Sequence, residues 1–127
     1  PDLTILELGA NDGLRGEDVG QMQRALETII QRLQERGSRI LLAGMISMAN
    51  FGQDYRERYD RVFPELAEKY GLPLYPFFLE GVAGVPELNQ YDGLHPNEQG
   101  ARRITESIYP LIREQVDTIL KERETSP

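Results

Sequence analysis

Cysteine is absent from these 127 residues, so a disulfide, a CxxC redox pair, a thiolate zinc site and a cysteine nucleophile are all excluded. The redox compartment is left undetermined by the same absence. Histidine occurs once, at His95, which rules out HExxH and other multi-histidine metal sites and leaves any imidazole chemistry to one ring. Positive charge is in deficit. Fourteen Lys and Arg against 21 Asp and Glu give a formal charge of -7, and no basic surplus exists to hold a nucleic acid by its phosphates. No apolar run approaches the ~20 residues of a membrane span, so the chain is not expected to be integral to a membrane. Nor does an initiator Met, signal peptide or polar lead precede Leu3-Thr4-Ile5-Leu6-Glu7-Leu8, from which we expect that something upstream has been removed or left out.

What is present is a βα rhythm within one domain's length. Residues 3–9 predict a strand buried on both faces, the habit of central strands in parallel sheets, ending in the turn Gly9-Ala10-Asn11-Asp12-Gly13. Residues 17–36 predict a helix, with Val19, Met22, Leu26, Ile29, Ile30 and Leu33 in one stripe and Gly37 ending it. Residues 39–45 predict a second buried strand and 46–52 a loop. A helix over 55–70 follows, with Tyr55, Tyr59, Val62, Phe63, Leu66 and Ala67 inward and Pro64 expected to kink or split it. Gly71 to Tyr75 predict a short third strand, and Pro76 to Leu94 an irregular segment. Pro96 is expected to open a last helix that frays into a polar tail over about 121–127.

Such alternation implies an α/β fold with a parallel sheet and right-handed crossovers. Strands added consecutively in one direction put both connecting helices on one face and leave the outer edge of the first strand bare. Since that strand's composition asks for burial, at least one further strand is expected beside residues 3–9. The fold reads as incomplete.

Chemistry in open parallel sheets gathers at the carboxyl ends of strands. The segments there are 9–16, 45–52 and the long loop ending at His95. In Asp92-Gly93-Leu94-His95, the spacing lets the carboxylate accept the imidazole Nδ1–H, fixing the tautomer and leaving Nε2 as a general base. The same spacing also suits an Asp that caps the final helix beside an idle surface histidine. Asn11, just past a strand end, can donate to a developing oxyanion or serve only as a turn residue. Asp12 reads as a turn or helix-end hydrogen-bonder. Of the four serines, Ser38 lies at the amino end of a strand, Ser107 falls inside the last helix and Ser126 in the tail. Ser47 is at a carboxyl strand end but lacks the glycines of a nucleophile elbow.

Taken together these segments resemble the SGNH (GDSL-type) hydrolases. Gly9-Ala10-Asn11-Asp12 is similar to their GxND block and Asp92-Gly93-Leu94-His95 to their DxxH block. The stretches 6–16, Leu42-Ala43-Gly44-Met45, 76–84 and 92–97 resemble the thioesterase I / lysophospholipase L1 / arylesterase branch, in order and nearly across the chain.

That resemblance implies a flavodoxin-like α/β/α sandwich of five parallel strands in the order 2-1-3-4-5. The strands here would correspond to its third, fourth and fifth. It further implies an esterase acting on carboxylic esters, acyl thioesters or lysophospholipids through an acyl-enzyme. His95 would be base and then acid, Asp92 its orienter, and Asn11 a donor in the oxyanion hole. The family's GDS block with its serine nucleophile and its oxyanion-hole glycine block have no counterpart in this sequence, so the first two βα units are expected elsewhere.

Gly9, Gly13, Leu14 and Arg15 would border the substrate on a loop that, with Gly16, resembles the branch's mobile loop. Met48, Phe51, Phe77 and Phe78 are candidate apolar walls of an acyl pocket and equally candidates for ordinary core. No cofactor and no metal are implied. The partner expected is a small acyl ester or lipid; the rival reading is that this polypeptide by itself is an inactive part, acting only by pairing along residues 3–9 with a companion chain that carries the missing strands and serine. A self-paired dimer across the same edge is a further option. A metal-dependent hydrolase built on Asp12, Asp92 and His95 is a third class, distinguishable by EDTA-sensitive turnover. The resemblance points to a periplasmic or secreted location, with the cytoplasm left open.

Overall fold

A computed structural model describes residues 1–9, 13, 15–47, 49–93 and 95–125. Asn11, Asp12, Leu14 and Met48 therefore lie outside the described residues. The chain forms two compact units, Pro1–Phe77 and Phe78–Pro127.

The first unit is built on a parallel sheet of strands β1 (Leu3–Leu6), β2 (Arg39–Ala43) and β3 (Leu74–Tyr75), in that spatial order. The register pairs Leu3 with Arg39 and Leu6 with Leu42, then Leu42 with Leu74 and Ala43 with Tyr75. Helices α1 (Val19–Glu35) and α2 (Gln53–Tyr70) make the crossovers, pack on each other and both pack on β2. The expected one-sided arrangement is thus what the chain adopts. Ile40 to Ala43 are buried throughout, as the unbroken apolar run requires.

Local chemistry accounts for the helix ends. Asp18 caps α1, its carboxylate accepting from the N–H groups of Gly20 (2.7 Å) and Gln21 (3.3 Å). Both helices stop in the same way. Gly37 donates to Gln34 and Ser38 to Leu33, while Gly71 donates to Glu68 and Leu72 to Ala67, the paired bonds of a Schellman motif. Each then feeds directly into the next strand.

In several places the structure corrects the sequence expectation. β1 ends at Leu6 instead of residue 9, because Gly9 turns the chain at φ +101° and Leu8 is already half exposed. β2 ends at Ala43, and β3 is only two residues long. Pro64 does not split α2, which runs unbroken from Gln53 to Tyr70. Buried Val62, Phe63 and Leu66 surround the proline, and each buried side chain of that size contributes about 1.5–3 kcal/mol, enough together to offset the ~3 kcal/mol penalty of an interior proline.

The second unit joins a turn-rich segment, a short 3-10 turn (Pro86–Leu88) and the helix α3 (Glu98–Thr125). Pro96 does not open α3. It sits in an isolated antiparallel bridge with Asn89, and Asn97 is the cap, its side-chain oxygen accepting from Gly100 N–H at 2.9 Å. The expected fraying from Lys121 does not occur either, since α3 continues to Thr125.

Candidate active site

Asp92 and His95 stand on a short loop whose base is closed by main-chain bonds. Gln90 N–H donates to the His95 carbonyl at 2.7 Å, Asn89 and Pro96 form the antiparallel bridge, and Gly93 N–H donates to the Gln90 carbonyl at 2.9 Å. Asparagines pin that base from both sides. The Asn89 amide donates to the carbonyls of Val82 and Val85, both at 2.8 Å. The Asn97 amide donates to Glu87 at 2.8 Å and to Asn89 at 3.2 Å. α3 seats on the same segment at Gly100, where a Cβ would fall 2.1 Å from the Leu88 carbonyl oxygen. Only glycine fits there.

At the tip, the Asp92 carboxylate holds His95 by two points. One oxygen accepts from the His95 backbone N–H at 3.1 Å, and the other lies 2.6 Å from the ring nitrogen Nδ1. With Nδ1 protonated this is a short, charge-assisted hydrogen bond, and Nε2 becomes the basic atom. The imidazole is well exposed, so a reactant can reach it. Asn97, and not Asp92, caps α3, so the pairing displaces the helix-capping alternative for Asp92.

The loop after β1 is held differently. Phe51, just before α2, and Tyr55, Tyr59 and Phe63 on it, spaced four residues apart, pack their rings in a row at centroid separations of 5.5, 6.3 and 5.9 Å, the middle pair stacked and the outer two edge-to-face. This ladder faces the loop. The Tyr59 hydroxyl donates to the Gly9 carbonyl at 2.8 Å, and the Tyr55 hydroxyl donates to the Glu17 carbonyl at 2.9 Å. The Gly9 carbonyl also accepts from Gly13 N–H at 3.1 Å, closing a five-residue turn with Asn11 at its centre in sequence. Gly13 is buried, and a Cβ on it would meet the Tyr59 ring at 2.8 Å. Gly16 sits against Phe51 in the same way. Arg15 is exposed, with its guanidinium 4.0 Å from the Glu17 carboxylate. Just ahead of the loop, burial pushes the Glu7 carboxyl above its ordinary value.

Beyond β2, Ser47 is buried, its N–H donating to the Asp60 carboxylate at 2.7 Å and its hydroxyl donating to the Ala49 carbonyl at 3.2 Å. A cleft of about 680 Å³ opens beside it, and the side chains that line it include Asn50, Gln53, Arg56 and Glu57. Phe51 is about half exposed, whereas Phe77, the last residue of the first unit, and Phe78, the first of the second, are half-buried. Among the described residues no three His, Asp or Glu side chains converge as a metal-binding group.

The sequence pointed to Asp92, His95 and the glycines of the first loop. It did not assign a site role to Tyr59, Asn89 or Asn97. The aromatic spacing 51-55-59-63 was the available signal for the first, but spacing alone reads as core. For Asn97, an Asn directly after Pro96 and before a helical run was the cap signal.

Residues 1–103 match the model of the GDSL-like lipase/acylhydrolase family. Among curated relatives, the chain is 39% identical over 113 residues to "Esterase TesA" of Pseudomonas aeruginosa, covering 89% of this chain and 56% of that protein. It is 35% identical over 116 residues to "Thioesterase 1/protease 1/lysophospholipase L1" of Escherichia coli K12, covering 88% and 56%. Among solved structures, a crystal structure of TesA superposes with a TM-score of 0.83 at 38% identity, covering 91% of this chain and 64% of that one. The chain therefore spans little more than half the length of the curated relatives it matches. Among the described residues no helix is long and apolar enough to cross a membrane.

Proposed function

This chain belongs to the GDSL-like lipase/acylhydrolase family, and from that premise we propose that it supplies the acid–base half of a serine ester hydrolase. The observation that carries the reading is the 2.6 Å contact between Asp92 and His95 Nδ1 at the tip of a pinned loop. In the complete enzyme a serine outside these residues attacks the acyl carbonyl while His95 Nε2 takes its proton. Asp92 keeps the tautomer and balances the imidazolium. Asn11, a glycine N–H and the serine N–H stabilise the tetrahedral oxyanion. Collapse expels the alcohol or thiol, which leaves with the proton from His95. Water then attacks the acyl-enzyme, giving a proton to His95, and collapse breaks the serine ester bond, releasing the carboxylic acid as His95 returns that proton to the serine oxygen.

The substrate class is an acyl ester: carboxylic esters, acyl thioesters or lysophospholipids, in keeping with the names of the relatives. Gly9, Gly13, Leu14 and Arg15 border it, with Met48, Phe51, Phe77 and Phe78 as apolar contacts. The nucleophile is assigned outside this chain because the family's GDS block has no counterpart here; among the described serines, Ser47 is buried and donates to a backbone carbonyl, and Ser38 and Ser107 are hydrogen-bonded to Thr4 and within α3, while Ser126 lies outside the described residues. Strands carrying that serine would pair along the outer edge of β1, where among the described residues only β2 is a neighbour and Ile5 is 43% exposed. Taken alone, this polypeptide is then inactive. By resemblance, the proposed location is the periplasm or the medium.

Two measurements test this. A fluorophosphonate probe on the complete protein should label a serine outside residues 1–127, and an adduct on Ser47 would overturn the assignment. His95→Ala should lower kcat by at least about 10³-fold without loss of fold, because the ring is exposed. Wild-type kcat in that variant would remove His95 from the mechanism.

A further inference from the structure

The geometry points to Tyr59 as a positioning residue for the oxyanion side of the site: its hydroxyl and ring hold Gly9 and Gly13, between which Asn11 lies in the sequence. This rests on the proposed role of Asn11 and goes beyond it by naming the group that sets where the amide is presented.

Gly9 and Gly13 are tied to each other by the 3.1 Å bond from Gly13 N–H to the Gly9 carbonyl. Tyr59 touches both ends. Its hydroxyl donates to the same Gly9 carbonyl at 2.8 Å, and its ring lies where a Cβ of residue 13 would be. Tyr59 itself is only 1% exposed, stacked on Tyr55 and edge-to-face with Phe63, so it cannot swing away without opening the core. Gly9 and Gly13, the residues from which the Asn11 segment is suspended in the sequence, are thus both anchored to one buried side chain. Donors aimed at a developing oxyanion act by being in place before charge appears, so a small loss of placement is read as rate.

Tyr55 provides an internal comparison. It sits on the same ladder and also donates its phenol to a loop carbonyl, but to Glu17, well past the turn. If the ladder served stability alone, removing either hydroxyl would have similar consequences. If Tyr59 positions the turn, only its loss should slow the reaction.

The experiment is steady-state kinetics of the complete protein on an aryl ester, with Tyr59→Phe, Tyr55→Phe, Asn11→Ala and the double variant Tyr59→Phe/Asn11→Ala. Asn11→Ala is expected to lower kcat by about 10²–10³-fold. Tyr59→Phe is expected to lower kcat by about tenfold with KM within about twofold, and Tyr55→Phe to leave both unchanged. In the Asn11→Ala background, Tyr59→Phe should have almost no further effect, because the amide it positions is gone.

Full additivity in the double variant, or an unchanged kcat in Tyr59→Phe, overturns the positioning role. Wild-type kcat in Asn11→Ala instead overturns the oxyanion reading on which it rests. Should Tyr59→Phe fail to fold, Gly13→Ala carries the same expectation, since its methyl would press on the Tyr59 ring. Loss of fold in both variants would make the contact structural only and end the proposal.

Discussion

The two loops that bear the candidate chemistry are built on opposite principles. The turn after β1 is held by large apolar side chains: an aromatic ladder on α2, most of it buried, with one tyrosine reaching two glycines. The Asp92–His95 loop is held by hydrogen bonds, main-chain at its base and asparagine amides beneath. Burial resists displacement in every direction but tolerates no change of volume. A hydrogen-bonded loop keeps its tip in water, where a histidine can exchange protons, and depends on a few polar atoms each worth about 1 kcal/mol. A substitution that removes a ring from the first region should therefore be read mainly as stability, and one at the tip of the second as rate.

The strongest challenge to that contrast is Asp92→Asn. The amide would donate toward Nδ1 and favour the wrong tautomer, so kcat/KM should fall by about 10²–10⁴-fold, while the urea midpoint stays put because both side chains are well exposed. An equal fall in stability would show that the tip is part of the core after all.

Phe63→Ala attacks the other side. The ring is 1% exposed and ends the ladder, and its removal should cost about 3–5 kcal/mol of unfolding free energy in a denaturant titration. A cost below about 1 kcal/mol would mean that the ladder is not what holds the first unit together.

The smallest effect is expected where α1 meets α2 at the surface. The Lys69 ammonium lies 2.5 Å from the Glu27 carboxylate, which with the Tyr70 hydroxyl keeps the Glu27 carboxyl below its ordinary 4.5 and raises the Lys69 value above its ordinary 10.5. A lowered carboxyl contributes stability above its unfolded value, and that contribution fades as pH falls through the folded value. The lysine's share is complete below its unfolded value and fades only in strong alkali. The Tm gap between wild type and Glu27→Gln should thus be small at pH 7 and close as pH drops below about 4.5. A gap that widens in acid would reverse the assigned sign.

The contrast also explains which parts of the molecule were legible in the sequence. The sheet and crossover helices were, because Ile40-Leu41-Leu42-Ala43 and the stripe Val19, Met22, Leu26, Ile30 write burial directly into residue type. The Asp92–His95 pairing was legible because its spacing is short enough for local geometry to decide it. The base of that loop was not, since the bonds from Gln90 to His95 and from Asn97 to Leu88 are main-chain and carry no side-chain signature. Tyr59 was read as an inner-face residue of a helix, which it is. Nothing local says that the same hydroxyl meets a carbonyl 50 positions earlier. Pro64 misled because propensity was weighed without the tertiary burial around it.

Gly100 has a consequence for how this sequence can vary. It touches neither Asp92 nor His95, yet it is where α3 lies against the Leu88 carbonyl under their loop. Any other side chain there must lift the helix or the loop, and lifting the loop moves the histidine. A random library selected for turnover should therefore keep glycine at position 100 as strictly as it keeps histidine at 95, and a lineage that drifts at 100 should do so only together with changes at Leu88 or Pro96, which border the same space.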